Sequence, residues 1–221
     1  TMKNLLYKEL RLCVPIQTWI FVFLSITIMI PSWPSLVSFF YPLAGLTVIF
    51  ALGAANRDIL YTSTLPIRKG DVVKGKTLLL SFLELLTILI SIPFGILRTF
   101  FITLDKEMVE YPELGVNIAM FGFVFFLFGI FNLIVLPWFY KKPEGKNSLP
   151  FIIGDLATMV LMGVIMTVFM AVPNAAAFIN TFEGIALWTQ LGILLVGIAL
   201  FSLFTFLALL EAKKAFQKVD I

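Results

Sequence analysis

Six apolar runs, each long enough to cross a bilayer, dictate what this chain can fold into. They cover about 14–30, 36–55, 77–102, 115–139, 149–172 and 185–210. A helix needs ~20 apolar residues to span the hydrocarbon core. Backbone N–H and C=O groups in lipid must be satisfied inside the segment itself, which helices achieve. The expected fold is therefore an all-α integral membrane protein, a single transmembrane domain over residues 1–221. Composition agrees: mean hydropathy is +1.03, and 13% of residues are charged, against about 25% in soluble domains. The third run, at 26 residues, is longer than a bilayer requires, so it tilts, kinks at Pro93 or projects.

Charge gives the orientation. Fourteen of the sixteen Lys and Arg residues fall in four segments that six spans place on one side. These are the N-terminal stretch, the loop 56–77, the loop 140–148 and the tail 211–221. Only Arg98 and Lys106 fall toward the other side, where Asp105, Glu107, Glu110, Glu113 and Glu183 also lie. Basic loops stay in the cytoplasm, so both termini are expected there. Residues 2–13 have Met2, Leu5, Leu6 and Cys13 on one side of a helical wheel and Lys8 and Arg11 opposite. This predicts an amphipathic helix lying along the membrane surface. Glu9 falls in its apolar sector; either it snorkels out or that sector also meets protein. A basic start before an apolar run resembles a secretory signal, but no small-x-small site follows, so 14–30 is taken as a span. Residues 173–184 are expected to form a short outer re-entrant or interfacial segment.

The longest polar interruption is residues 56–77, Asn-Arg-Asp-Ile-Leu-Tyr-Thr-Ser-Thr-Leu-Pro-Ile-Arg-Lys-Gly-Asp-Val-Val-Lys-Gly-Lys-Thr, with five of the basic residues. Within it, Gly70 to Thr77 matches the phosphate-loop pattern G-x-x-x-x-G-K-[ST]. That loop needs a preceding strand and a soluble helix after it. Here a Pro66 turn precedes it and a membrane span follows. The expectation is a loop running into a helix with a lysine-rich first turn.

Catalytic chemistry finds little purchase. There is no His, and a single cysteine, Cys13, excludes an intrachain disulfide or thiolate cluster. Glu84, Arg98 and Asp155 are the ionisable residues inside the spans, and such residues suggest function by default. Glu84 lies about 12 Å along the helix from Lys76 at 1.5 Å per residue. Arg98 lies near the outer end, where it can reach the interface. Glu84, Asn132 and Asp155 either line the inner mouth of a cavity or hydrogen-bond across helices. The interior is rich in Phe (24) and Met (8), which suits apolar or amphipathic molecules better than ions or sugars.

Residues Leu5-Leu6-Tyr7-Lys8-Glu9-Leu10, six spans, and Leu65-Pro66-Ile67-Arg68-Lys69 followed by Val72-Val73-x-x-Lys76 together carry a resemblance. The chain resembles the permease subunits of type-two ABC exporters, most closely the bacterial phenol-soluble modulin exporter and lantibiotic-resistance permeases. It departs from their pattern at Thr64, often Ser, and at Asn56-Arg57-Asp58, often more acidic. The resemblance implies a multi-pass protein of the bacterial plasma membrane with no ATPase of its own. It implies a cytoplasmic coupling hairpin over 56–76, with Arg57, Asp58, Leu65, Pro66, Ile67, Arg68, Lys69, Asp71, Lys74 and Lys76 as ATPase-coupling residues. Lys141 and Lys142 would form a second coupling element, with Lys8, Glu9 and Arg11 in an interfacial helix beside it. The implied partners are an ABC ATPase subunit, a second copy or a sister permease, and membrane lipid; nucleic acid is not among them. No cofactor or metal is expected on this chain, with ATP and Mg held by the partner. The implied function is export of amphipathic or hydrophobic molecules, such as toxin or antimicrobial peptides. An ion-coupled secondary transporter and a non-transporting membrane scaffold are the alternatives.

Overall fold

The structure, a computed structural model, describes residues 2–64, 66–104, 115–143 and 148–219. Leu65, the acidic segment 105–113 and Lys146 lie outside the described residues. All regular structure among the described residues is helical. In chain order the α-helices are α1 (Met2–Lys8), α2 (Ile16–Phe23), α3 (Phe40–Ala55), α4 (Asp58–Ser63), α5 (Lys69–Leu104), α6 (Ile118–Phe139), α7 (Leu149–Ala171), α8 (Pro173–Ile179) and α9 (Gly184–Gln217). A π-helical turn, Glu9–Cys13, follows α1, and 3₁₀ helices cover Leu24–Met29 and Ser35–Phe39.

Among the described residues, five helices are long and apolar enough to cross a membrane: Ser35–Ala55, Lys69–Ile102, Ile118–Phe139, Leu149–Ala171 and Gly184–Gln217. The sixth apolar segment is broken: Leu5–Cys13 and Ile16–Met29 meet at 90°. The break has a local cause. Pro15 has no N–H and disfavours helix in the residue before it, and Val14 is extended (φ −97, ψ 104). Residues 14–30 are also not one uniform helix, as the apolar run alone would suggest. The Ser25 hydroxyl donates to the Val22 carbonyl (2.8 Å) and the Thr27 hydroxyl to Leu24 (2.8 Å). Such back-bonding competes with the α-helical ladder, and the chain tightens into the 3₁₀ segment before Pro31 stops it.

Helix α5 has 36 residues, about 54 Å at 1.5 Å per residue, well beyond a ~30 Å hydrocarbon core. Residues Lys69–Lys76, expected in the hairpin before the third span, are already its first two turns. Gly70 to Thr77 is thus continuous helix, and the phosphate-loop match carries no phosphate-loop geometry.

Helices α6 and α9 pack with their backbones in contact. A Cβ on Gly197 would sit 2.1 Å from the Gly122 carbonyl oxygen, and one on Gly122 2.6 Å from that of Ile193. Small residues permit this approach in membranes, where packing rather than burial from water drives association. Phe125 stacks on Phe201 (5.6 Å) and Phe126 on Phe204 (6.2 Å) along the same seam. The core lies between α3, α5, α6 and α9 and includes Phe39, Leu43, Leu46, Phe50, Leu79, Leu83, Phe128 and Phe131.

At the end opposite Lys76, buried polar groups fasten the helix starts. Asn117 caps α6, its Oδ1 accepting from the Met120 N–H (2.8 Å), and its Nδ2 donates to Asn180 Oδ1 (2.8 Å). Gln190 accepts from the Ile118 N–H (3.2 Å) and donates to the Thr181 carbonyl (2.9 Å). These bonds pin the short helix α8, inside the expected 173–184 segment, and the turn after it against α6 and α9. Arg98 does not reach outward: it is buried and donates to the carbonyls of Pro31 (2.9 Å), Trp33 (2.9 Å) and Ile28 (3.3 Å). A helix end leaves carbonyls unpaired, and the end of the 3₁₀ segment with the turn after it offers three to one guanidinium.

Candidate functional site

The basic end of the bundle is organised by a closed ring of four charges. The Lys76 ammonium lies 2.7 Å from Glu9 Oε2 and 3.2 Å from Asp58 Oδ2. The Lys8 ammonium lies 3.0 Å from Glu9 Oε1 and 2.7 Å from Asp58 Oδ1. Each carboxylate thus gives one oxygen to each ammonium. Lys8 also donates to the Thr62 hydroxyl (2.6 Å), which in turn donates to the Asp58 carbonyl (2.7 Å). Side-chain exposure is 3% for Lys76 and 2% for Glu9, so the ring is largely out of water.

The sequence puts these groups together by simple means. Gly75 faces Leu5: a Cβ there would come within 2.8 Å of the Leu5 side chain. Its absence lets α1 settle on α5 and brings Glu9 over Lys76. The Gly75-Lys76 pair that mimics a phosphate loop therefore serves helix packing and an internal ion pair. On the other side, α3 ends in a left-handed residue, Arg57 (φ 52, ψ 37), which turns the chain back so that Asp58 begins α4 beside Lys76. Glu9 is where the sequence left two alternatives; the structure has it facing protein.

Burial alone would raise the Asp58 carboxyl, but Lys76 and Lys8 outweigh it and hold the group below the ordinary carboxylate value. A depressed carboxyl adds stability above its unfolded pKa, ~3.9, and loses it as pH falls through the folded value. The thermal midpoint of the wild type should therefore exceed that of Asp58→Asn by a constant margin from pH 7 to about 5. The margin should shrink below about pH 4. A margin that is flat down to pH 3, followed by intrinsic fluorescence in detergent, would sink this account.

Glu9, Cys13 and Asp58 place three ligand atoms within 4.8 Å of one another. Lys8 and Lys76 already sit on their carboxylate oxygens, so this donor set is neutralised and does not fit a metal ion.

The structure sorts the residues expected to contact an ATPase. Asp58 and Lys76 turn inward into the ring, because burying Glu9 and Asp58 requires matching cations. Lys69 also turns inward, donating to the Val219 carbonyl (2.6 Å). Arg57, Pro66 and Arg68 are exposed, Ile67 packs against the core, and Asp71 pairs with Lys74 (3.3 Å) across one helical turn. Lys141 and Lys142 are exposed in the turn after α6, and Arg11 reaches the Tyr7 hydroxyl. Inside the bundle, Glu84 Oε2 accepts from Asn132 Nδ2 (3.0 Å), which also donates to Thr205 (3.2 Å). Asp155 Oδ2 accepts from Thr47 (3.2 Å). These bonds join α5, α6 and α9 in the first case and α7 and α3 in the second.

Two polar residues that sequence reading passed over also organise the chain, Asn117 and Gln190. Asn117 had a signal, an Asn directly before an apolar run, which is a helix N-cap pattern. Gln190 had none beyond being a lone amide in an apolar run.

Among the described residues, an all-helical bundle with five or six apolar spans, helices of 36 and 34 residues, and a charged platform welded to the longer one define a polytopic membrane protein. Residues 4–209 match the family described as ABC-2 family transporter protein, and the chain belongs to that family. Its membrane subunits work with a separate ABC ATPase subunit. No curated protein and no solved structure matches the chain.

Proposed function

We propose that this chain is the permease subunit of an ATP-driven exporter, with its basic end in the cytoplasm. The observation that carries the reading is the ion-pair ring at the foot of α5. It welds α1 and α4 to a helix about 54 Å long at 1.5 Å per residue, so a push on the platform moves the transmembrane helix as a rigid body. Fourteen of sixteen basic residues belong to that end by sequence order, which favours a cytoplasmic placement. Exposed Arg57 and Arg68 and half-buried Lys74, with Lys141 and Lys142, would meet an acidic rim on the ATPase. ATP and Mg would be held there, and this chain would bind no nucleotide. Two permeases, identical or sister chains, would frame the translocation path. The Phe- and Met-rich bundle suits amphipathic peptides, the cargo implied by resemblance to modulin and lantibiotic-resistance permeases.

A pull-down of the chain co-expressed with its neighbouring genes tests this. The expected result is a soluble ATPase in near-equal amount, whose hydrolysis survives Lys76→Met in the permease. Arg57→Glu combined with Arg68→Glu should abolish recovery at ordinary salt, since like charges facing each other at an interface cost several kcal/mol. Undiminished recovery of the ATPase with the double variant would remove these residues from the contact.

A further inference from the structure

We infer that the C-terminal end of α9 is a clamp that positions both ATPase-facing segments of the chain. Read as sequence, 211–221 is a charged tail leaving the last span. In the structure it is the amphipathic end of a helix. Ala208, Ala212 and Phe216 recur every four residues and are fully buried, so they form one packed stripe. Glu211 and Lys214, an exposed pair at 2.7 Å, lie off that stripe.

The stripe ends at the foot of α5. The Lys69 ammonium donates to the Val219 carbonyl at 2.6 Å and stands 5.9 Å from the centre of the Phe216 ring. A helix C-terminus presents unpaired carbonyls and the negative end of its dipole, so a lysine there is held by charge as well as by a hydrogen bond. Lys213 covers Gly70: its methylenes lie 3.9 Å from where a Cβ on Gly70 would be. Phe216 also meets Tyr140, ring centres 5.2 Å apart and steeply inclined. Tyr140 is itself fully buried. Phe216 therefore touches the residue that opens the 140–148 segment and the residue that opens α5. One side chain sets the spacing of the two segments assigned above to ATPase contact, on which reading this inference rests. Lys69 acts through α9 and is a positioning residue; contact with the ATPase is left to Arg57, Arg68, Lys74, Lys141 and Lys142.

Hydrogen exchange on the permease alone, in nanodiscs, tests the clamp without any ATPase. Lys69→Gln removes one charged hydrogen bond and Phe216→Leu removes the ring. Amides in 70–76 and 140–142 should exchange about tenfold faster or more in Lys69→Gln, the size expected for one charged hydrogen bond, and should also exchange faster in Phe216→Leu. Amides in 84–98 should not change, and Lys69→Arg should keep wild-type protection. The second arm is affinity for the ATPase subunit recovered in the pull-down, expected to fall about fivefold for Lys69→Gln as the competent arrangement becomes less populated. Unchanged exchange in Lys69→Gln, a mild change at a half-buried position, overturns the clamp even if Phe216→Leu misfolds. Faster exchange with unchanged affinity overturns its positioning role. A wild-type chain that binds no ATPase subunit strikes the docking reading instead, and the exchange arm still decides the clamp.

Discussion

Lys76→Met is expected to cost about 3–5 kcal/mol, the penalty for breaking a buried ion pair by removing one partner. The methionine fills much the same volume, so the loss is electrostatic. Glu9 at 2.7 Å and Asp58 at 3.2 Å would face each other with only Lys8 between them. The site would go from neutral to one net negative charge in a place with almost no water. The platform should then detach before the bundle melts, because α1 and α4 are short and held mainly there. A lower first thermal transition, with early proteolysis between residues 8 and 64, is the expected signature. Two further variants separate charge from packing. Glu9→Lys with Lys76→Glu keeps the sum of charges neutral but sets like charges in contact at 8/9 and at 58/76, so it should recover little. Glu9→Gln added to Lys76→Met leaves Lys8 and Asp58 as a simple pair and should recover a good part of the loss. A Lys76→Met protein that melts with the wild type, as one transition, would mean that apolar packing at Leu5 and Gly75 holds the platform unaided.

That ring also shows what the residues announce and what they conceal. The membrane class is legible because hydropathy is a local sum, and five of the six runs reach the ~20 residues a bilayer needs. The α-helical class follows from it, since lipid offers the backbone no other partner. The basic end is legible because charge near spans is a one-dimensional count. Glu9 is different. Its place in an apolar sector is visible, but its partner is 67 residues away, and nothing in the spacing names Lys76. The Gly-Lys dipeptide at 75–76 completes a phosphate-loop pattern, which its context argues against and which helix packing satisfies just as well. Arg98 illustrates the same limit: its depth is legible, but the three carbonyls that hold it belong to a turn some 65 to 70 residues earlier. The irregularity of residues 14–30 has a cause that is local and readable in hindsight. Ser25 and Thr27 turn their hydroxyls back on the helix, and Val14 precedes a proline. The charged tail misleads because its lysines are visible and its period of four, Ala208, Ala212, Phe216, is carried by two alanines and a single ring.

Gly197→Ala is expected to do more damage than any other single methyl group added to this chain. Its Cβ would lie 2.1 Å from the Gly122 carbonyl oxygen and 2.7 Å from the Gly122 Cα. Real Cβ contacts are near 3.4 Å or longer, so the two helices have to part by about 1 Å, and both contacts are backbone that no rotamer change relieves. Overpacking of a core commonly costs about 1–3 kcal/mol and sometimes more; a backbone-to-backbone clash belongs at the top of that range. Parting α6 from α9 also stretches the Asn132–Thr205 bond, now 3.2 Å, and leaves the Asn132–Glu84 contact less well supported. The comparison that isolates the crossing is Gly192→Ala. Gly192 lies on the same helix, a little over one turn away, with nothing within 4 Å of its Cβ position. There the same methyl should be neutral or stabilising by up to about 1 kcal/mol, the helix-propensity difference between Gly and Ala. Thermal midpoints of the two variants in one detergent decide the matter; equal midpoints would mean that the α6–α9 seam is looser than this contact. The same shift should be felt at the far end of α9, where Phe216 and the Val219 carbonyl hold Tyr140 and Lys69. Gly197→Ala should therefore also weaken recovery of the ATPase subunit, from a position buried in the bundle on which no partner can dock.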